Sequence, residues 1–66
     1  MAQPTREEVM IQLDRIDTAL EAPDADKAAV MGDAQDWLAE NPPKEAADAL
    51  YFRERLQAIR ERHGAG

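Results

Sequence analysis

Residues 49–63 read ALYFRERLQAIRERH, and the spacing of the apolar residues in this stretch decides the fold class. Five positions recur in alternating steps of three and four: Ala49, Phe52, Leu56, Ile59 and His63. That spacing produces a continuous apolar seam on one side of an α-helix over two heptads. It predicts a helix over about 42–62 that ends before Gly64, where glycine is a favoured helix terminator.

Prolines divide the rest of the chain into two further helical segments. Pro23 disfavours the α conformation at Ala22, which predicts the end of the first helix there. In Asn41-Pro42-Pro43, asparagine can cap a helix that begins at Pro42, since the first helical position needs no N–H donor. The sequence therefore predicts an all-α protein, a small three-helix bundle with helices over about 6–22, 25–40 and 42–62.

Each of the first two segments carries its own cap and apolar stripe. Thr5 and Glu8 have the spacing of a capping box, and Asp24 is a candidate cap for the second helix. The first stripe is Val9, Leu13, Ile16 and Leu20, and the second is Val30, Ala34 and Trp37, widened by Met31 and Leu38. Gly32 falls opposite the second stripe, and one continuous helix is predicted through it, with a break before Asp33 as the alternative.

Length and composition exclude several classes of protein. Sixty-six residues form a single domain over 1–66, too small to have more than marginal stability alone. The absence of Cys excludes disulfides and thiolate metal sites. No apolar run approaches the length that crosses a membrane, and MAQPTREE lacks the apolar core of a signal peptide. These features predict a cytoplasmic protein with no membrane partner.

Chemistry at a metal or catalytic centre is not predicted. The chain has one His, His63, near its end and outside any Glu-x-x-His pair of the kind found in carboxylate-rich bundles. A bundle this small has little dry interior in which the pKa of a carboxyl group could be shifted for catalysis. The sequence predicts a protein that is not an enzyme, with no cofactor and no bound metal.

Charge is divided unevenly along the chain. Residues 1–43 contain ten acidic and three basic residues, a net charge of −7, whereas residues 44–66 contain four acidic and five basic residues, a net charge of +1. The pattern predicts acidic helices packed against a third helix whose arginines flank its seam: Arg53 and Arg60 on one side, Arg55 and Arg62 on the other. We expect these arginines to pair with acids of the other two helices, and we expect no direct contact with nucleic acid, since the chain carries a net charge of −6.

Two rows of acids have matching spacings of seven, three and four. They are Glu7, Asp14, Asp17 and Glu21 on the first helix, and Asp26, Asp33, Asp36 and Glu40 on the second. Regular rows of carboxylates can imitate the phosphates of a nucleic acid and occupy a cationic groove of another protein. The alternative is two solvated helix faces, partly neutralised by the arginines of the third helix.

Three apolar residues lie off the predicted seams: Ile11, Leu50 and Tyr51. Exposed apolar and aromatic residues mildly favour a docking surface for another protein or a second copy. The sequence thus predicts a small acidic protein–protein interaction module, acting as a regulator or assembly subunit. The alternatives are a nucleic-acid-mimicking inhibitor of a DNA- or RNA-binding protein and a structural component of a larger, possibly viral, particle.

Overall fold

The computed structural model describes residues 3–64, which form three helices: α1 (Arg6–Glu21), α2 (Lys27–Glu40) and α3 (Ala46–His63). No strand occurs in this part of the chain. The predicted all-α three-helix bundle is confirmed. None of the three helices is long and apolar enough to cross a membrane.

The limits of α1 follow the predicted signals closely. The amide of Glu8 donates to Thr5 Oγ1 at 3.2 Å, which satisfies one of the unpaired N–H groups of the first turn. At the other end Ala22 adopts an extended conformation with ψ 132°, as expected for a residue that precedes proline. The helix ends at Glu21, one residue before the predicted limit.

Two predicted caps are wrong. Helix α2 is capped by Asp26, not Asp24, since Asp26 Oδ1 accepts a hydrogen bond from the amide of Ala29 at 3.2 Å. Asn41 closes α2 and does not open α3: its backbone and side-chain amides both donate to the carbonyl of Trp37, at 2.8 and 3.0 Å.

Helix α3 therefore begins at Ala46 and not at Pro42. Asn41 and Pro42 each precede a proline and are disfavoured in the α conformation, so the chain needs a linker before the next helix. Its N-cap, Glu45, makes no side-chain hydrogen bond to the first turn. At the other end Gly64 takes the left-handed conformation, φ 64°, and its amide donates to the carbonyl of Glu61.

The apolar seams of all three helices meet in one core. Its buried members are Val9, Leu13, Ile16, Leu20, Met31, Ala34, Phe52, Leu56 and Ile59. Trp37 is half-buried and packs against this core at its edge, with its ring 5.4 Å from that of Phe52. Met31, expected only to widen the α2 stripe, is buried instead, so the contact face of α2 is rotated from the predicted one. Gly32 is exposed within an unbroken α2, which confirms the continuous helix.

Helix α1 is the central element of the bundle. It packs against both α2 and α3, whereas α2 and α3 approach each other closely at few points. Arg6, at the start of α1, bonds to Asp48 at the start of α3, and Asp17 near the end of α1 bonds to His63 at the end of α3. Helices α1 and α3 are therefore parallel, and α2 runs antiparallel to both.

Candidate interaction groove

An open groove lies between α2 and α3, which approach each other closely at few points. Its volume is about 570 Å³. The apolar part of its lining is Met31, Leu38, Ala39, Pro42, Pro43, Ala49, Phe52 and Leu56. Gln35 on α2 and Gln57, Arg53 and Arg60 on α3 complete it. The groove combines an apolar floor with a few polar groups at its margin.

The groove exists because α1 accounts for most of the burial of the other two helices. Phe52 and Leu56 face the core and are buried, yet they also form part of the groove lining. The α2–α3 linker adds Pro42 and Pro43, which cannot continue either helix and close one end of the groove.

Two arginines give this groove its charge. Arg53 and Arg60 are seven residues apart on α3, about 10.5 Å along the helix axis at 1.5 Å per residue, and both line the groove. Within residues 3–64 neither they nor Arg55 form a salt bridge. The predicted pairing of Arg53, Arg55 and Arg60 with acids of the first two helices is wrong; Arg62 alone of the four pairs as predicted.

Arg62 belongs to a separate cluster at the far end of the α1–α3 interface. Asp17 Oδ1 accepts hydrogen bonds from Arg62 and lies 2.6 Å from His63 Nε2. The hydrogen bond from Arg62, followed by that from His63, holds the pKa of the Asp17 carboxyl group below its usual value. The same contact raises the pKa of Arg62.

His63 also receives a contact from α2. Lys27 Nζ donates to the carbonyl oxygen of His63 at 2.7 Å, so residues from all three helices meet at this end of the bundle. Arg62 and His63 lie in the last turn of α3, where positive charge is favoured by the helix dipole. His63, the last position of the predicted seam, is a half-buried contact between helices.

Asp17, Glu21 and His63 also bring potential metal ligands together, with one ligand atom from each within 4.8 Å of the others. This cluster was not anticipated, because its His comes from a helix distant in sequence. Arg62 already supplies a positive charge to Asp17 and would have to be displaced by a cation. The geometry is that of an interhelical ion-pair cluster.

The opposite end of the α1–α3 interface is closed by Arg6. Its Nη1 donates to Asp48 Oδ1 at 2.9 Å, and its guanidinium carbon lies 4.0 Å from the centre of the Tyr51 ring. A cation over an aromatic face is an attractive arrangement. Tyr51 is half-buried and packs against the core. Arg6 covers part of the ring, so Tyr51 is less exposed than its place off the predicted seam suggested, and its role in partner binding stays a prediction.

The three predicted docking residues do not form one surface. Ile11 and Leu50 are exposed as predicted, at 46% and 56% of their surface. Ile11 lines neither the groove nor the shallower hollow between α1 and α3 that Tyr51 lines. Leu50 lies one turn before Arg53 and two turns before Gln57, which places it on the outer shoulder of the groove. Leu50 does not itself line the groove, and partner binding through any of the three residues stays a prediction.

The two predicted acidic rows have different environments. On α2 the four acids are all exposed, and none of them lines the groove. On α1 the row is interrupted, since Asp17 is half-buried and bonded to Arg62 and His63, while Glu7, Asp14 and Glu21 are exposed. Imitation of a nucleic acid stays a prediction, with Asp17 paired to Arg62 and Asp26 engaged as the cap of α2.

Comparison of the chain with protein-family models, curated proteins and solved structures gave no match. The groove was also not predicted from the sequence. The signal that could have indicated it is the breadth of the α2 apolar face, where Met31 and Leu38 extend beyond the stripe of Val30, Ala34 and Trp37. One neighbouring helix cannot cover a face that wide.

Proposed function

We propose that this protein is a non-catalytic interaction module that binds an amphipathic helical segment of another protein in the groove between α2 and α3. The observation that carries the proposal is the open groove itself, with Met31, Leu38 and Leu56 among its lining residues. Insertion of an amphipathic helix into an apolar groove is a recurring mode of peptide recognition. In this role the protein acts as a regulator or an assembly subunit in the cytoplasm.

The groove supports a helix better than it supports a small molecule. It is open along its length and bounded by two helices, so an occupant in the form of a rod can lie between them. A helix of the partner protein placed there would pack against both α2 and α3 on the side where each lacks a neighbour. The marginal core expected for 66 residues would then gain buried apolar surface from the partner.

A second copy of the chain is the rival occupant. Each copy carries a net charge of −6, so two copies repel each other at low ionic strength. The large apolar side chains exposed on α1 are Met10 and Ile11, which are neighbours in sequence and so point about 100° apart around the helix, without forming a stripe for a groove lined by several apolar residues. A separate protein with a full apolar stripe suits the groove better.

The test uses a displayed library of helical peptides selected on the immobilised protein. Ala39 is exposed and lines the groove, so Ala39→Trp fills it with little change to the core. Ala58 is exposed on α3 and lines neither the groove nor the hollow between α1 and α3, so Ala58→Trp is the matched control. We expect selected peptides to bind the wild type and Ala58→Trp and to lose binding to Ala39→Trp.

Methionine methyl resonances locate the bound peptide. Met31 lines the groove, whereas Met10 lines the hollow between α1 and α3, so the two methyl groups report on different surfaces. A selected peptide should shift the Met31 resonance and leave that of Met10 in place. Peptides that bind Ala39→Trp normally, or that shift Met10 alone, would refute the proposal. A concentration-dependent dimer in sedimentation experiments that Ala39→Trp abolishes would assign the groove to a second copy.

A further inference from the structure

We infer that the helix bound in this groove carries two carboxylates seven residues apart on one edge, placed to pair with Arg53 and Arg60. This inference rests on the proposed function, because it specifies the partner of the same groove. It comes from the distribution of charge around the groove, which the apolar lining alone does not determine.

Charge on the groove lining is the reverse of that on the whole chain. The sequence has 14 acidic and 8 basic residues, yet the described residues that line the groove include two arginines and no acid. Acids of α2 lie on other faces of that helix. The two arginines attract carboxylates to the groove, and the negative charge of the rest of the protein repels carboxylates elsewhere. This contrast favours specificity.

Both arginines are available to a partner. Arg6 and Arg62 hold acids of the neighbouring helix, at Asp48 and Asp17. Arg53 and Arg60 have no acid within 4.0 Å among residues 3–64. Each guanidinium group presents a planar fork of donors that matches a carboxylate. Arg53 is exposed and Arg60 is half-buried, and both line the groove, so each can meet a carboxylate of the occupant there.

The two margins of the groove differ, and this difference sets the orientation of the occupant. The α3 margin carries Arg53 and Arg60, whereas the α2 margin carries Gln35 and Ala39, which are uncharged. An amphipathic helix must therefore place its acidic edge toward α3 and a small or neutral edge toward α2. A spacing of seven residues keeps two carboxylates on the same edge, as at flanking positions of a coiled coil.

The experiment repeats the peptide selection on a charge-reversed groove. The variant is Arg53→Glu with Arg60→Glu. The control is Arg15→Glu with Arg55→Glu, which makes the same change in net charge at two exposed arginines outside the groove. We expect wild-type selection to enrich Asp or Glu at two peptide positions seven apart, and selection on the reversed groove to enrich Lys or Arg there.

Affinity of the selected peptides gives the quantitative result. Two charge pairs converted from attraction to repulsion should weaken a wild-type-selected peptide by roughly tenfold or more on the reversed groove. The control variant should bind within about threefold of wild type, since general repulsion of the peptide changes equally in both variants. High salt should narrow the difference between the two variants.

The outcomes separate this inference from the proposed function. Peptides that shift Met31, lose binding to Ala39→Trp and show no acidic preference would refute the inference and leave the groove as a helix site. Absence of any groove-dependent peptide would refute both. Binding of labelled RNA or DNA oligonucleotides that the groove reversal abolishes, and the control variant retains, would assign the arginines to nucleic acid and overturn the inference.

Discussion

The two interfaces that α3 makes are closed to very different degrees. Against α1 it has an ion pair at each end, Arg6 with Asp48 and Arg62 with Asp17, and a continuous apolar contact between them. Against α2 it has one aromatic contact, Trp37 with Phe52, one hydrogen bond at the end of the helix, and an open groove over much of the rest. A small bundle can thus be held by one closed interface and keep another available for a partner.

The largest effect is expected from a matched series of leucine truncations that compares the closed α1–α3 interface with the open groove. Leu13 is buried on α1, Leu38 is half-buried at the groove, and Leu50 is exposed. We expect Leu13→Ala to lower the free energy of unfolding by about 2–5 kcal/mol, enough to unfold a marginal bundle. Leu38→Ala should lower it by about 1 kcal/mol, and Leu50→Ala by much less. Urea denaturation followed by circular dichroism measures all three.

Ile11→Ala, on the exposed face of α1, is the control for this series and should leave the unfolding free energy nearly unchanged. Equal losses for Leu13→Ala and Leu38→Ala would mean that the groove is closed in solution. The α2–α3 interface would then be as well packed as the α1–α3 interface.

Paired charge reversals test the electrostatic part of the comparison. Arg6→Glu with Arg62→Glu turns both end contacts of the α1–α3 interface into repulsions, so it should lower the melting temperature by several degrees, and more at low salt. Arg53→Glu with Arg60→Glu changes the net charge by the same amount at arginines that form no salt bridge within residues 3–64. Its melting temperature should fall distinctly less.

The arginine pattern of the sequence alone predicts the larger loss of melting temperature for Arg53→Glu with Arg60→Glu, because it assigns these two arginines to ion pairs within the bundle. Thermal melts of both double variants at low and high salt decide between the two expectations. A larger, salt-relieved loss for the Arg53 and Arg60 reversals would show that these side chains contact acids within the bundle.

The pH dependence of stability should come from the closed interface. The pKa of Asp17 in the folded protein lies below its usual value of 3.8, so the ionised form is favoured by folding. Its stabilising contribution is therefore complete above about pH 4 and is lost as pH falls through the lowered pKa. Asp17→Asn should lower the melting temperature at neutral pH and by progressively less toward pH 2.

Asp33→Asn, at an exposed position of α2, is the control for this titration. A difference between wild type and Asp17→Asn that stays constant from pH 6 to pH 2 would contradict the role of the Asp17 carboxylate. The melts should be recorded at constant ionic strength, because screening also changes surface interactions.

The smallest expected effect concerns divalent cations. Asp17 is occupied by Arg62 and His63, so binding of a metal ion to Asp17, Glu21 and His63 must first break an ion pair. We expect Zn²⁺, Ca²⁺ or Mn²⁺ at stoichiometric concentration, and chelators, to leave the melting temperature nearly unchanged. An increase of several degrees with Zn²⁺ that His63→Ala abolishes would establish a metal site at the closed end of the bundle.

Sequence patterns predicted what depends on a single helix. The α1 stripe of Val9, Leu13, Ile16 and Leu20 is buried in full, and the Phe52, Leu56 and Ile59 seam lies in the core. The pre-proline effect at Ala22 and the Thr5 cap act over a few residues, so local rules were sufficient. The boundary at Asn41 was predicted wrongly because the same residue can open one helix or close another, and the two consecutive prolines favour the second.

What the sequence could not provide is the relative placement of the helices. Arg62 and Arg60 are equivalent by local charge pattern, yet one meets Asp17 and the other borders an open groove. Tyr51 was expected on the surface because the position of Arg6, from another helix, cannot be derived from helical spacing. The groove likewise depends on how far α2 and α3 diverge, which no periodicity within either helix specifies.

The parallel arrangement of α1 and α3 has a consequence for the order in which the chain folds. Contacts of the closed interface join residues 42 to 46 positions apart, as in Arg6 with Asp48 and Asp17 with His63. Loop closure costs more entropy as the enclosed segment lengthens, by about 0.6 kcal/mol for each doubling. The antiparallel pair of α1 and α2 needs a much shorter loop and can form first. During synthesis the closed interface must therefore wait until residues up to His63 have left the ribosome, and until then α1 has only α2 to cover its apolar stripe.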